Sequence, residues 1–414
     1  MKKEIAEKNY LESVCDKVGE VAMHYGFTII KPPHVNALDL VVAKQFKDHD
    51  YYNDTAEKIA LTRWYIEGKM EATNQPVAIH YKKPLPGSPK VASKTGRGGG
   101  KKPSEEMYGF EVMGSSRSTS EALILKCVLA ILEDLGYDNL YIDINSIGDR
   151  ESMVKFEREL MAYYRRNSGV VPAKARQEFK KNHYSVLLES QSYWQDAPEP
   201  ISSLSDIGRL HFKEVLESLE AFKATYKIRP SLFSNKYFAS YTVFEIRQSL
   251  GTDAKDKVGE LLAYGYRYNH LAKKIGSKRE IPSVGATIIV KKNHLTTKKI
   301  SIKKMQKPRF YLVQLGEMAK LKALNIVEIL RKEKISVYHS ITKDKITGQL
   351  SGAEYMKASH VLIMGQKEAL ENTIVVRNVS NREQETVSVA ELCQFLKKLG
   401  KHILMLAIIF SSHM

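Results

Sequence analysis

From Lys291 to Arg309 the chain carries eight basic residues and no acidic one: Lys291, Lys292, Lys298, Lys299, Lys303, Lys304, Lys307 and Arg309. Burying unpaired charge is costly, so this stretch belongs on a surface or between two folded parts. It divides the chain unevenly. After it, Phe310 to Leu315 opens a strand–helix–strand–helix–strand pattern that lasts to about residue 399, the mark of a small α/β domain.

The longer part before it reads as strands interrupted by helices. Ile5, Tyr10, Leu11, Val14, Val18, Val21 and Ala22 recur near a 3.6 period, which predicts an amphipathic helix over 5 to 24. Tyr25-Gly26 ends it, and Phe27 to Ile30 reads as a strand leading to Pro32-Pro33. Residues 58 to 70 fit a helix or a long strand. Strands are predicted at 77 to 83 and 108 to 114, a helix at 118 to 136, and a strand from Leu140 to Ile144 followed by a turn. From about 149 to 229 the chain is helical and charged, with a Pro/Ser-rich break at 196 to 205. Strands return at 237 to 247, 258 to 267 and 283 to 290. No internal repeat is evident.

Composition narrows the partners. Lys+Arg is 64 against Asp+Glu 47, a net charge of +17 over 414 residues. Such an excess favours polyanions, nucleic acid before anionic membrane. Cys15, Cys127 and Cys393 are far apart and lack CxxC spacing, which argues against a disulfide framework or zinc site; no metal site is expected. The charged N-terminus lacks the apolar core of a secretory signal. Residues 401–414 hold an apolar tail whose role is open; its run HILMLAIIF is shorter than the roughly 20 residues a membrane span needs. The Gly-rich loop GRGGGKK around Arg97 and Lys101 suggests a phosphate cradle, but it lacks the Walker spacing and the Ser/Thr after lysine. A flexible basic loop able to touch RNA backbone fits it better.

Four segments, in order, resemble the histidyl-tRNA synthetase family: YIDINSIGD (141 to 149), YTVFEI (241 to 246), AYGYRYNHLAKKIG…IPSVGATI (263 to 288), and a C-terminal series comprising YLVQLGE, TGQLSGAEYMKASHVLIMGQKE and TIVVRN…QETVSV between 311 and 389. YGFTIIKPP resembles motif 1, the class II dimer element, and GFEVMG the strand after motif 2. The resemblance covers about 5 to 398. It implies an α+β class II aminoacyl-tRNA synthetase core, an antiparallel sheet with helices, over 1–300 with a helical segment at about 149–229. It further implies an α/β anticodon-binding domain over 308–400, a homodimer, and a cytoplasmic protein without a membrane role.

The same resemblance implies site residues. Glu111 matches the glutamate that binds the histidine substrate, and Arg267 and Tyr268 match the Arg-Tyr of the histidine-binding stretch. Tyr266 replaces a family glycine beside them, and Met107 replaces a glutamine. Catalytic arginines are missing: Ser234 stands at one arginine position and Lys292 at another, where lysine keeps charge without the planar fork. No motif 2 arginine pattern lies between Tyr81 and Glu111, though Arg97 or Arg117 could substitute. Asp54-Thr55-Ala56-Glu57-Lys58 replaces the family's Arg-Pro-Glu-Gly-Thr. Adenylation rests on preorganised charge, and one lost donor costs roughly 10²–10³ in rate.

The expected function is therefore tRNA binding, with histidine tRNA the implied partner, and weakened or lost adenylation and charging. The alternatives are an active histidine–tRNA ligase, which would need ATP and Mg where an inactive chain needs neither, and a histidine-sensing regulatory subunit of ATP phosphoribosyltransferase. Arg97, Lys101, Lys298, Lys299, Lys303 and Lys304 are the candidate RNA contacts.

Overall fold

Polar caps fix the chain's first helices. The computed structural model describes residues 12–46, 51–73, 75–83, 105–184, 194–249, 258–296, 298–302, 309–343 and 345–400. It opens with β1 (Val14–Cys15) and α1 (Lys17–His24), where the Asp16 carboxylate accepts the Gly19 N–H. Next come β2 (Thr28–Ile29) and α2 (Ala37–Lys44), entered through a capping box of Asn36 and Asp39. α3 (Thr55–Glu67) follows; between the two readings of 58 to 70, the structure takes the helix.

Two compact units emerge among the described residues: those from Ile29 to Thr296 in one, and Glu12–Thr28 with those from Lys298 onward in the other. In the first, β3 (Val77–Lys82) and β4 (Glu105–Met113) pair antiparallel, and α4 (Thr119–Asp134) follows. β5 (Leu140–Gly148) runs on through the segment expected to turn after Ile144. The helical block contains α5 (Arg150–Asn167), α6 (Ala173–Lys181) and α7 (Asp206–Ala221). It ends in β6 (Tyr226–Ile228), a strand where helix was expected, lying parallel to β5. Antiparallel strands β7 (Ser240–Gln248) and β8 (Glu260–Arg267), the short α8 (Leu271–Lys274) and β9 (Ser283–Lys291) complete an eight-stranded sheet. Its order is β2-β3-β4-β9-β8-β7-β5-β6.

In the second unit, β10 (Ile300–Ser301) lies within the lysine-rich stretch and pairs antiparallel with β1. After it come β11 (Phe310–Gln314), α9 (Glu317–Lys332), β12 (Val337–His339), α10 (Ile346–Tyr355), β13 (His360–Met364), α11 (Gln366–Glu371), β14 (Thr373–Asn378) and β15 (Gln384–Ser388). Their sheet order is β12-β11-β13-β14-β15, parallel among the first three and antiparallel thereafter. Helix α1 joins this unit: the Tyr25 hydroxyl just beyond it donates to Glu328 Oε2 on α9 at 2.7 Å. No helix of the described residues is long and apolar enough to cross a membrane.

Candidate active site on the face of the central sheet

Three neighbouring strands set the geometry. Glu111 on β4 lies opposite Gly285 on β9, and Gly285 lies opposite Tyr266 on β8. Paired residues share a sheet face and alternate residues along a strand return to it. Tyr264, Tyr266 and Tyr268 therefore stand on the face of Glu111, and Arg267 stands on the other.

The Glu111 carboxylate is fully buried, and both its oxygens are engaged. Tyr268 donates to Oε2 at 2.7 Å. Lys58 Nζ, from the first turn of α3, lies 2.5 Å from Oε1, and the Tyr81 hydroxyl lies 3.3 Å from the same oxygen. Tyr81 also donates to Glu57 at 2.6 Å, and Glu57 pairs with Lys83 at 2.8 Å. Tyr266 donates to Asp54 at 2.7 Å. Tyr52 stacks on Tyr264 with ring centroids 4.2 Å apart. Lys58 is 1% exposed, and its ammonium sits 5.0 Å from the Tyr268 ring centre and 5.6 Å from that of Tyr266. Burial works against its charge, but Glu111 and Asp54 outweigh that and hold its pKa above the ordinary lysine value. Burial pushes the Asp54 carboxyl upward, against the pull of Lys58 and Lys83.

Gly285 is the floor of this cluster. A Cβ there would stand 1.9 Å from Glu111 Oε2 and 2.5 Å from Lys58 Nζ. The missing side chain is what lets carboxylate and ammonium meet against the backbone.

Arg267 lies behind the sheet. It is fully buried and each of its five N–H donors has a protein acceptor. Nε donates to Glu121 Oε1 at 2.6 Å, Nη1 to the Ser115 carbonyl at 2.8 Å and to Asn269 Oδ1 at 3.3 Å, and Nη2 to the Arg117 carbonyl at 3.0 Å and to Glu121 Oε2. His211 Nε2 lies 2.8 Å from Glu121 Oε1. The structure thus brings Glu111 and Tyr268 together and holds Arg267 apart from them. Sequence reasoning missed Lys58 as a partner of Glu111; a lysine within TAEKIAL reads as a solvated helix residue. The signal for the two faces was in YGYRY, whose period of two separates Arg267 from Tyr268.

The other expected residues are scattered. Ser234 is buried before β7. Lys292 follows the end of β9, seven residues past Gly285, which is roughly 20 Å along a strand at about 3.3 Å per residue. Lys298 and Lys299 are exposed beside β10. Arg97, Lys101, Lys303 and Lys304 lie outside the described residues, as does the apolar tail. Glu111 is held by Lys58 and Tyr268, Glu57 by Lys83, and Glu245 by Arg247 at 2.6 Å. The acidic side chains of this face are thus engaged with cations and phenols, and as arranged they do not fit a magnesium site.

Comparison with known proteins supplies the relationship. Residues 309–399 match a family model described as "Anticodon binding domain". A histidine–tRNA ligase of Listeria innocua is 25% identical over 409 residues, covering 93% of both chains. One of Chlorobium phaeobacteroides is 28% identical over 304 residues, covering 72% of this chain and 69% of its own. Along nearly its whole length the chain is similar to histidine–tRNA ligases. A solved structure of apo S. aureus histidyl-tRNA synthetase is 20% identical, with a TM-score of 0.49 and coverage of 92% of this chain and 93% of the other. The resemblance gives the face of Glu111 its interest, because it matches Glu111 to a glutamate that binds the amino-acid substrate in those relatives.

Proposed function

We propose that this chain is a tRNA-binding, synthetase-like protein whose histidine adenylation and tRNA charging are weakened or lost. One contrast supports the reading: residues 309–399 match an anticodon-binding domain, while Ser234 and Lys292 stand where the resemblance places catalytic arginines. A serine hydroxyl supplies no charge to a phosphoryl group. A lysine supplies a point charge without the bidentate fork. Three described arginines near the sheet are spent elsewhere, Arg267 on Glu121, and Arg229 and Arg247 on Asp143 and Glu245.

The second reading is an active ligase using ATP and magnesium. It is favoured by alignment with a named ligase across 93% of both chains. Pyrophosphate exchange driven by histidine and ATP separates the two. The expected rate lies well below the roughly 1 s⁻¹ at the low end of ordinary enzyme turnover. A rate at or above that value establishes the ligase instead. As further parts of the proposal, the partner is histidine tRNA, the chain pairs as a homodimer, and it works in the cytoplasm.

A further inference from the structure

The cluster around Glu111 has the parts of a receptor for an ammonium group. A buried carboxylate accepts from Tyr268 and Lys58, two phenol rings present their faces to the cation, and Gly285, having no side chain, leaves the space between open. Aromatic faces with a carboxylate are a recurrent way to recognise a desolvated cation. The occupant comes from a different element, the first turn of α3, and arrives on a four-carbon stem. The residue that the resemblance places at position 58 is a threonine, which is shorter and uncharged.

We propose that the box formed by Glu111, Tyr268, Tyr266, Tyr81 and Gly285 is a primary-ammonium site, that Lys58 is its built-in occupant, and that Lys58 thereby shuts free amino acid out of the position beside Glu111. The last step rests on reading Glu111 as the amino-acid position. The box itself rests only on the geometry. The lysine keeps the buried carboxylate neutralised, so the core tolerates it. It also keeps the substrate from reaching that carboxylate. Loss of amino-acid binding is then independent of the missing arginines, and restoring arginines alone does not restore it.

Shortening Lys58 to alanine removes the atoms of n-propylammonium, which makes that ion the probe. The full-length Lys58→Ala protein is heated in n-propylammonium chloride, in sodium chloride and in n-propanol at equal concentrations. Its unfolding midpoint is expected to rise in n-propylammonium alone, with no such rise for the wild type or for Lys58→Ala combined with Glu111→Gln. Equilibrium dialysis with labelled histidine is expected to show at least tenfold tighter binding to Lys58→Ala than to the wild type. If the alanine protein does not fold without the amine, Lys58→Ser takes its place and the wild-type dialysis still decides. Wild-type protein that binds histidine as tightly as the variant overturns the occlusion. A midpoint that responds equally to sodium and n-propylammonium overturns the ammonium site. Rescue by n-propylammonium without histidine binding keeps the box and removes the amino-acid reading of Glu111.

Discussion

Two buried ion pairs stand on opposite faces of one sheet, and they differ in what can replace them. Lys58 and Glu111 share a box that a small ammonium would fit. Arg267 spends two guanidinium donors on Glu121 and the other three on Ser115, Asn269 and Arg117, with no capacity left for a ligand. Removing one partner of a buried pair costs about 3–5 kcal/mol, because the other charge is stranded. Glu121→Gln is therefore expected to destabilise the protein by about that amount in urea unfolding at neutral pH. The effect carries a pH signature. Burial opposes ionisation of Glu121, but Arg267 and His211 prevail and bring its pKa from 4.5 down to about 2. A depressed carboxylate stabilises the fold fully above its unfolded pKa and loses that contribution as pH falls through the folded one. Wild-type stability should thus include a decline between pH 4.5 and about 2 that Glu121→Gln lacks. Identical acid profiles for the two proteins would show that Glu121 is not held ionised. The sequence contained both carboxylates but no hint of their partners, since neither Lys58 nor Arg267 is near its partner in the chain.

At the scale of elements, legibility followed periodicity. α4 was readable because an apolar run ends at Gly136, whose φ of +84° suits a residue without Cβ. α3 was ambiguous because Thr55, Lys58, Ile59, Ala60, Leu61, Thr62, Trp64 and Tyr65 are all buried, so it shows no polar stripe. β6 was invisible because it is three residues long, largely exposed, and placed in the sheet only by pairing with β5. The lysine-rich stretch hid β10 for the same reason: Ile300–Ser301 becomes a strand only against Val14–Cys15. These non-local pairs carry no local pattern to read. The β1–β10 pair also binds the early segment to the C-terminal unit, where Tyr25 and Arg331 both hold Glu328. Tyr25→Phe deletes one hydrogen bond to that carboxylate, worth about 1.5–3 kcal/mol. Chemical unfolding followed by a reporter in the C-terminal unit should show a loss of that size. No change would mean that the bond adds nothing beyond its exchange with water.

Across the whole molecule, tRNA binding has two separable sources. One is charge: a net +17 with exposed Lys298 and Lys299 beside β10. Contacts of this kind release counterions, so affinity falls with salt at a log–log slope of roughly −0.7 to −0.9 per phosphate neutralised. They do not distinguish one tRNA from another. The other source is the domain at 309–399, of a kind described as anticodon-binding, where unstacked loop bases can be read individually. Binding of a histidine tRNA and an unrelated tRNA should therefore be measured on the full chain and on a version ending at Lys307, each at two salt concentrations. The full chain is expected to prefer histidine tRNA at both concentrations, with both affinities falling steeply as salt rises. The shortened protein is expected to keep much of the salt slope and lose the preference. Loss of Glu12–Thr28 packing in the shortened version would perturb that end of the chain, so the full chain's preference is the deciding number. Equal affinity for the two tRNAs in the full chain leaves only the electrostatic source. No binding at low salt removes tRNA as a partner, because neither source would then be acting.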